Sequence, residues 1–320
     1  MISKQIAIDS PFGSRSTASE IVENIHLKGK TAIITGGYSG IGTEVVRALL
    51  KTGIKIIVGA RRVDIAKKKL SEISESITIL PLNLMDPVSI DAFSEEVISQ
   101  IDRLELLINN AAIMANPLTR DKRGYESQFS TNHLGHFQLT ARLWSLLTSA
   151  ESARVVMLSS LAHQMNGLDI EDLHFEKREY ERWVAYAQSK SANALFALSL
   201  DKIGEPKNVR AFAVHPGFIK TPLQRYFTTE EQVKMGWIDK NGNVSETFKT
   251  TEQGASTTVW CATSPLLNDY GGLYCENCNI AKLWNEGDPK GTGVYPHVRD
   301  ESQANDLWSK SEQLVNLRFT

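Results

Sequence analysis

Tyr186 and Lys190 stand four residues apart, so on a helix they share one face. A phenol with an ordinary pKa near ~10 is a poor acid or base at neutral pH. An ammonium beside it favours the phenolate and pulls that value down. A fall of three units is about 4 kcal/mol, more than an exposed pair supplies, so such a site must be partly desolvated. The pair suits proton transfer to or from an oxygen. Upstream, Thr35-Gly36-Gly37-Tyr38-Ser39-Gly40-Ile41-Gly42 gathers glycine into one turn. Such a turn lets the backbone approach a pyrophosphate at a helix N-terminus. Two other spacings suggest metals. His133 and His136 are i and i+3, and Cys275-Glu-Asn-Cys278 has two residues between its thiols. Neither has the further ligands that a zinc site needs. We expect one buried thiol, one loop thiol and no metal.

The elements that hold these residues follow from periodicity. Short apolar runs at 31–35, 54–60, 77–81, 104–109, 154–159, 209–214 and 272–275 read as strands. Amphipathic stretches near 41–52, 64–74, 87–101, 126–149, 184–203, 251–263 and 301–315 read as helices. Strand-helix alternation with continuous apolar strands means a parallel α/β sheet covered on both faces, here of about seven strands. The glycine turn lies between the first strand and its helix, the place where it signals dinucleotide binding. Residues 1–29 read as an arm, with Thr17-Ala-Ser-Glu20 spaced as a capping box. The main domain is 30–280. Within it, 216–250 breaks the rhythm and reads as a substrate lid; 281–320 reads as a tail packed on the domain.

The glycine spacing, TGxxxGIG, resembles that of the short-chain dehydrogenase/reductase family. The likeness continues in chain order through Asn109-Asn110-Ala111-Ala112, where the family usually has Gly last. It then runs through Asn132 in Thr131-Asn132-His133-Leu134-Gly135-His136-Phe137, Ser159-Ser160, Tyr186-Ala-Gln-Ser-Lys190 and Pro216-Gly217. It implies a single Rossmann-fold, doubly wound domain and an NAD(P)-dependent oxidoreductase acting on a carbonyl or alcohol. By that pattern Tyr186 exchanges the proton, Lys190 also holds the nicotinamide ribose, and Ser160 hydrogen-bonds the substrate oxygen. Asn132 helps position a water that relays protons to Lys190. The cofactor is implied at Gly36, Tyr38, Ser39, Gly40, Ile41, Gly42, Arg61, Arg62, Asn83, Leu84, Asn110, Ala111, Ala112, Pro216, Gly217, Ile219 and Thr221, besides Tyr186 and Lys190. The family usually has Asp at the position of Asn83.

Ser160 and Tyr186 are 26 residues apart, about twice the spacing of many family members. Residues 164–182 thus look like an insertion, and their charges read as a solvated face. It resembles the longer loop of retinol dehydrogenases, WW-domain oxidoreductases and protochlorophyllide reductases. That branch implies a bulky, often apolar substrate. Two alternatives stay open: a nucleotide-sensing binding protein on the same fold, and a C=C reductase of the protochlorophyllide type. His163 and His215 follow strand ends and could touch substrate or cofactor.

Cofactor choice is set at the end of the second strand, where an acid binds a ribose 2′-hydroxyl and an arginine a 2′-phosphate. Ala60-Arg61-Arg62 has no acid there, and a guanidinium suits phosphate. NADP is expected over NAD. Composition narrows the rest. The chain has 320 residues, is 42% apolar and carries a net charge of −2. That excludes disorder and a disulfide scaffold, and gives no pull toward nucleic acid. Three cysteines, no signal-peptide core, no lipidation box and no apolar run of ~20 residues lead us to expect a cytoplasmic protein without membrane insertion. A homo-oligomer is left open.

Overall fold

The computed structural model describes residues 4–289 and 291–319. Thr17 caps the first helix, α1 (Ala18–Ile21), in the expected box: Glu20 N donates to its hydroxyl at 3.3 Å and Glu20 accepts from Thr17 N. Then strands and helices alternate: β1 (Thr31–Thr35), α2 (Ile41–Leu50), β2 (Lys55–Ala60), α3 (Val63–Ser71), β3 (Thr78–Pro81), α4 (Pro87–Gln100) and β4 (Leu106–Asn109). The second half continues through α5 (Ser127–Phe129), α6 (Gly135–Arg142), α7 (Trp144–Thr148), β5 (Ala153–Leu158), α8 (Arg182–Gly204) and β6 (Val209–His215). It ends with α9 (Thr229–Lys234), α10 (Thr251–Thr263), β7 (Leu273–Glu276), β8 (Asn279–Ile280) and α11 (Glu301–Val315).

The sheet order is β3-β2-β1-β4-β5-β6-β7-β8, parallel except for β7–β8. The order reverses at β1/β4, and ligands of such sheets bind beyond the strand ends at that switch point. Apolar clusters cover both faces. One holds Phe93, Phe137, Phe196 and Trp144; the other holds Val45, Leu49, Phe212 and Trp260. Each buried aromatic or leucine side chain contributes about 1.5–3 kcal/mol.

The structure departs from the sequence expectation in four places. Residues 126–149 are not one helix. Glu126 caps α5 through Gln128 N and Phe129 N, a π-helical turn spans Ser130–Leu134, and α6 follows. Gly135 is required there, since a Cβ would stand 2.3 Å from the Leu84 carbonyl oxygen. Second, a two-residue eighth strand joins β7 by a turn in which Asn277 and Cys278 both have positive φ, 52° and 55°. Such a turn suits a tight hairpin. Third, this hairpin is the reason for the two-residue spacing of Cys275 and Cys278, and Cys278, the thiol in the turn, is itself buried against Ser256 and Thr257. Fourth, the 164–182 insertion is not simply a solvated face. Asp172, Leu173 and Phe175 are buried, Asp172 accepts Glu176 N at 2.7 Å, and Arg178 lies over the Phe175 ring.

Candidate active site

The sheet opens at the β1/β4 switch point into one cavity of about 970 Å³. Its first wall is the glycine turn. Gly36 and Gly40 have φ of 66° and 56°, a region costly for a side chain. A Cβ on Gly42 would meet the Gly36 carbonyl oxygen at 2.6 Å. These glycines let α2 begin hard against the turn. Gly40 provides no side-chain cap, so the first N–H groups of α2 stay available where Gly40 and Ile41 line the cavity. That donor set fits a pyrophosphate.

The second wall is the end of β2 and β3. Arg61 and Arg62 are exposed and line the cavity, and neither guanidinium has a protein partner among the described residues. Leu82, Asn83 and Leu84 face them. The third is the β4 loop. Asn110 N and Ala111 N both donate to the Thr35 hydroxyl at 2.9 Å, and the Asn110 side chain donates to the Thr35 carbonyl. Ala111 and Ala112 stand on the cavity wall.

The other end of the cavity lies between β5 and α8. Glu181 caps α8 by accepting from Trp183 N and Val184 N, which sets Tyr186 one turn inside. Tyr186 and Lys190 are both buried, yet both line the cavity. Ser160 lines the same cavity, and its side chain favours the Tyr186 phenolate. Ser159, the other serine of the pair, donates instead to the Lys190 carbonyl. Lys190 donates its Nζ to the Leu158 carbonyl at 2.9 Å. Burial pushes the Tyr186 phenol up to about 12, while the Ser160 side chain opposes that. Burial pushes the Lys190 ammonium down to about 7. This reverses the expected lowering of the phenol. The cause is desolvation, which outweighs an amine that is itself half discharged at neutral pH.

Most residues singled out from sequence meet in this cavity, Pro216, Gly217, Ile219 and Thr221 among them. Two do not line it. Gly42 packs behind the turn, and Asn132 is fully buried behind Ile113. The Asn132 amide accepts from Ile113 N and donates to Ile113 O, both at 3.0 Å. It also donates to Ser189. His215 lines the cavity and accepts Leu161 N–H, whereas His163 is buried, bound to the Ser160 carbonyl and to Tyr295 N. Among the described residues no group of three or more His, Cys, Asp or Glu side chains stands together as metal ligands would.

Sequence reasoning missed the far wall. Met114, Met165, Trp183, Leu223, Trp237 and Phe248 line it, with Tyr295 from the tail. Most sit in irregular segments, so no period marks them. The only signal was the lid as a whole.

Comparison with known proteins follows the same outline. A family model described as short chain dehydrogenase matches residues 30–232. A Streptomyces antibioticus protein named "probable oxidoreductase" is 39% identical over 290 residues, 88% of this chain and 96% of that one. Human retinol dehydrogenase 12 is 35% identical over 301 residues, 92% of this chain and 89% of that one. The crystal structure of an uncharacterized protein from Mycobacterium paratuberculosis superposes with a TM-score of 0.73 at 29% identity, covering 96% of this chain and 99% of that one. No helix among the described residues is long and apolar enough to cross a membrane.

Proposed function

The chain belongs to the short-chain dehydrogenase/reductase family of nicotinamide-dependent oxidoreductases, and from that premise we propose that it reduces a bulky, largely apolar aldehyde or ketone with NADPH. The observation that carries this reading is a single cavity with the uncapped start of α2 at one end and Ser160, Tyr186 and Lys190 at the other.

The coenzyme, when bound, supplies the hydride. The α2 N–H groups would hold its pyrophosphate, Arg61 and Arg62 its 2′-phosphate, and Lys190 its nicotinamide ribose. Ser160 Oγ and Tyr186 Oη together mark where a carbonyl oxygen sits. As that oxygen gains negative charge, Ser160 donates a hydrogen bond to it and Tyr186 transfers its proton. A buried phenol near 12 stays protonated through neutral pH, which makes it an acid ready for an alkoxide and a scarce base for an alcohol. Lys190 in its charged form lowers the cost of the phenolate left behind.

Substrate class is read from the far wall. Trp183, Trp237, Phe248 and Met165 offer apolar surface and no charge. The tail contributes Tyr295, so we read the arm, the 30–280 body and the tail as parts of one catalytic unit. Ile8 and Gln5 of the arm bind the β7–β8 hairpin, which supports the same reading.

The test is coenzyme consumption by the purified protein over aldehydes and ketones of increasing apolar size. Faster NADPH oxidation with the larger apolar members is expected. Preference for small polar carbonyls, or equal use of NADH, would overturn the reading.

A further inference from the structure

His136 sits on α6, fully buried, and does not line the cavity. Its partners lie in separate segments that build the cavity. Its Nε2 is 2.9 Å from the Thr35 hydroxyl at the end of β1. That hydroxyl already accepts two N–H groups, from Asn110 and Ala111. A hydroxyl has two acceptor sites and one proton, so its proton goes to His136 Nε2. The other ring nitrogen, Nδ1, is 3.0 Å from the Asn132 carbonyl, which only accepts. The ring is therefore a neutral imidazole with its proton on Nδ1, and every hydrogen in the chain has one direction.

The Asn132 carbonyl belongs to the π-helical turn Ser130–Leu134, where Gly135 N bonds back to Ser130 O and the regular ladder is interrupted. His136 takes up that carbonyl. The Asn132 amide in turn fixes Ile113, on the cavity wall, through both its backbone groups.

We propose that His136 is a positioning residue for the reaction, a neutral bridge that locks the coenzyme-side loop of Thr35, Asn110 and Ala111 to the π-turn carrying Asn132. Burial keeps the ring neutral, which supports the bridge: a protonated Nε2 could not accept from Thr35. Lys190 lies near enough for its charge to be felt at His136, so the bridge also borders the proton-transferring pair. This rests on the proposed oxidoreductase reading for its functional consequence, though not for its geometry.

Two substitutions separate the two halves of the bridge. In His136→Asn the amide nitrogen stands near the position of Nδ1, so the hydrogen bond to Asn132 is kept and the one to Thr35 is broken. In His136→Gln the amide reaches toward Thr35, and the hydrogen bond to Asn132 is broken. Removing one buried hydrogen bond predicts an effect of ~10-fold in the property it governs. His136→Asn should weaken NADPH binding, read by fluorescence titration, more than it lowers kcat. His136→Gln should lower kcat more than it weakens binding, and His136→Phe should do both. If all three variants shift melting temperature alone, or if the two amides give the same split between binding and kcat, the positioning role is overturned. The geometry has its own check in the wild-type protein. Histidine ¹⁵N spectra, assigned with His136→Asn, should show an Nδ1–H tautomer that does not titrate between pH ~5.5 and ~8. A titrating or Nε2–H ring would refute the bridge. A wild-type protein with that tautomer but no coenzyme binding would instead refute the proposed function.

Discussion

Lys190 gives its Nζ hydrogen bond to the Leu158 carbonyl at 2.9 Å, and Asn193 donates to that same carbonyl at 2.9 Å. The amine is thus held at the end of β5, directly before Ser159 and Ser160, with Nζ 5.6 Å from the centroid of the Tyr186 ring. One carbonyl anchors the base of the site from two positions on α8. The lysine is held by strand and helix together, so its charge state, more than its position, is the variable quantity.

On the proposed reading, Tyr186 hands a proton to an oxygen beside Ser160. Tyr186→Phe keeps the ring and its packing and removes only the hydroxyl. Turnover should fall by at least ~10², the usual contribution of a positioned acid. Coenzyme affinity should change little, because the proposed pyrophosphate and 2′-phosphate contacts lie at the glycine turn and the arginines. Steady-state rates and NADPH titration of the two proteins check this. Near-normal turnover by the variant would remove Tyr186 from the acid role.

Lys190 titrates within the working range, since burial brings it down to about 7. Its folded pKa is depressed, so the ammonium is present below about 7 and lost above it. The charged form is the one that stabilises a Tyr186 phenolate. kcat/KM for carbonyl reduction should therefore decline as pH rises through 7. Lys190→Arg, with a guanidinium that stays charged, should lose that limb even if its absolute rate is low. A profile flat from pH ~6 to ~8 in the wild type would contradict the assignment.

The sheet is legible in the sequence because parallel strands buried on both faces leave continuous apolar runs such as Ile56–Val58 and Val155–Met157, which need no context to read. The glycine turn is legible because its residue types are dictated by backbone geometry. The π-turn is hidden, since Ser130–Leu134 continues a helical pattern and only the added bonds of Glu126 and His136 interrupt it. His136 reads as packing because Thr35 is 101 residues away in the chain, and nothing local marks the pair. The direction of the Tyr186 shift escapes the sequence for a related reason: proximity of charge is visible in a spacing, whereas depth of burial is a property of the whole fold. Trp237, Phe248 and Tyr295 lie where no period exists, so they emerge only once the chain is folded.

Buried histidines set the acid limit of stability. Burial holds His136 and His163 down to about 4, and His133 and His215 down to about 3. Each takes up a proton on unfolding below its ordinary value near ~6.5, so stability is full above that pH and is lost as pH falls toward 4. Each contributes about 1.4 kcal/mol per pH unit in that window. Glu126 and Glu276 oppose this, since burial raises both and the native state keeps their protons longer. Two carboxyls against four buried imidazoles leave the sum unfavourable. The melting temperature should fall steadily from pH ~6.5 to ~4.5, with net proton uptake measurable by calorimetry in two buffers. A constant melting temperature across that range would show that these rings titrate normally.

Coenzyme choice gives the sharpest test. β2 ends at Ala60, fully buried, with no acid to accept ribose hydroxyls. Arg61 follows, exposed on the cavity wall beside Arg62, and neither guanidinium has a protein partner among the described residues. Gly37-Tyr38-Ser39 carries no basic residue, so these two arginines supply the positive charge where a 2′-phosphate would lie. A charge-assisted guanidinium–phosphate contact contributes about 1.5–3 kcal/mol, less where solvent screens it. At about 1.4 kcal/mol per tenfold, NADP should be preferred over NAD by roughly 10- to 100-fold. Arg61→Asp replaces attraction to the phosphate by repulsion and offers the ribose an acceptor. NADP should bind much more weakly to it, and NAD as well as before or better. Titrating both coenzymes into both proteins at fixed salt decides the matter. Equal wild-type affinities, or a variant that still prefers NADP, would take the role from Arg61 and move the search to Arg62.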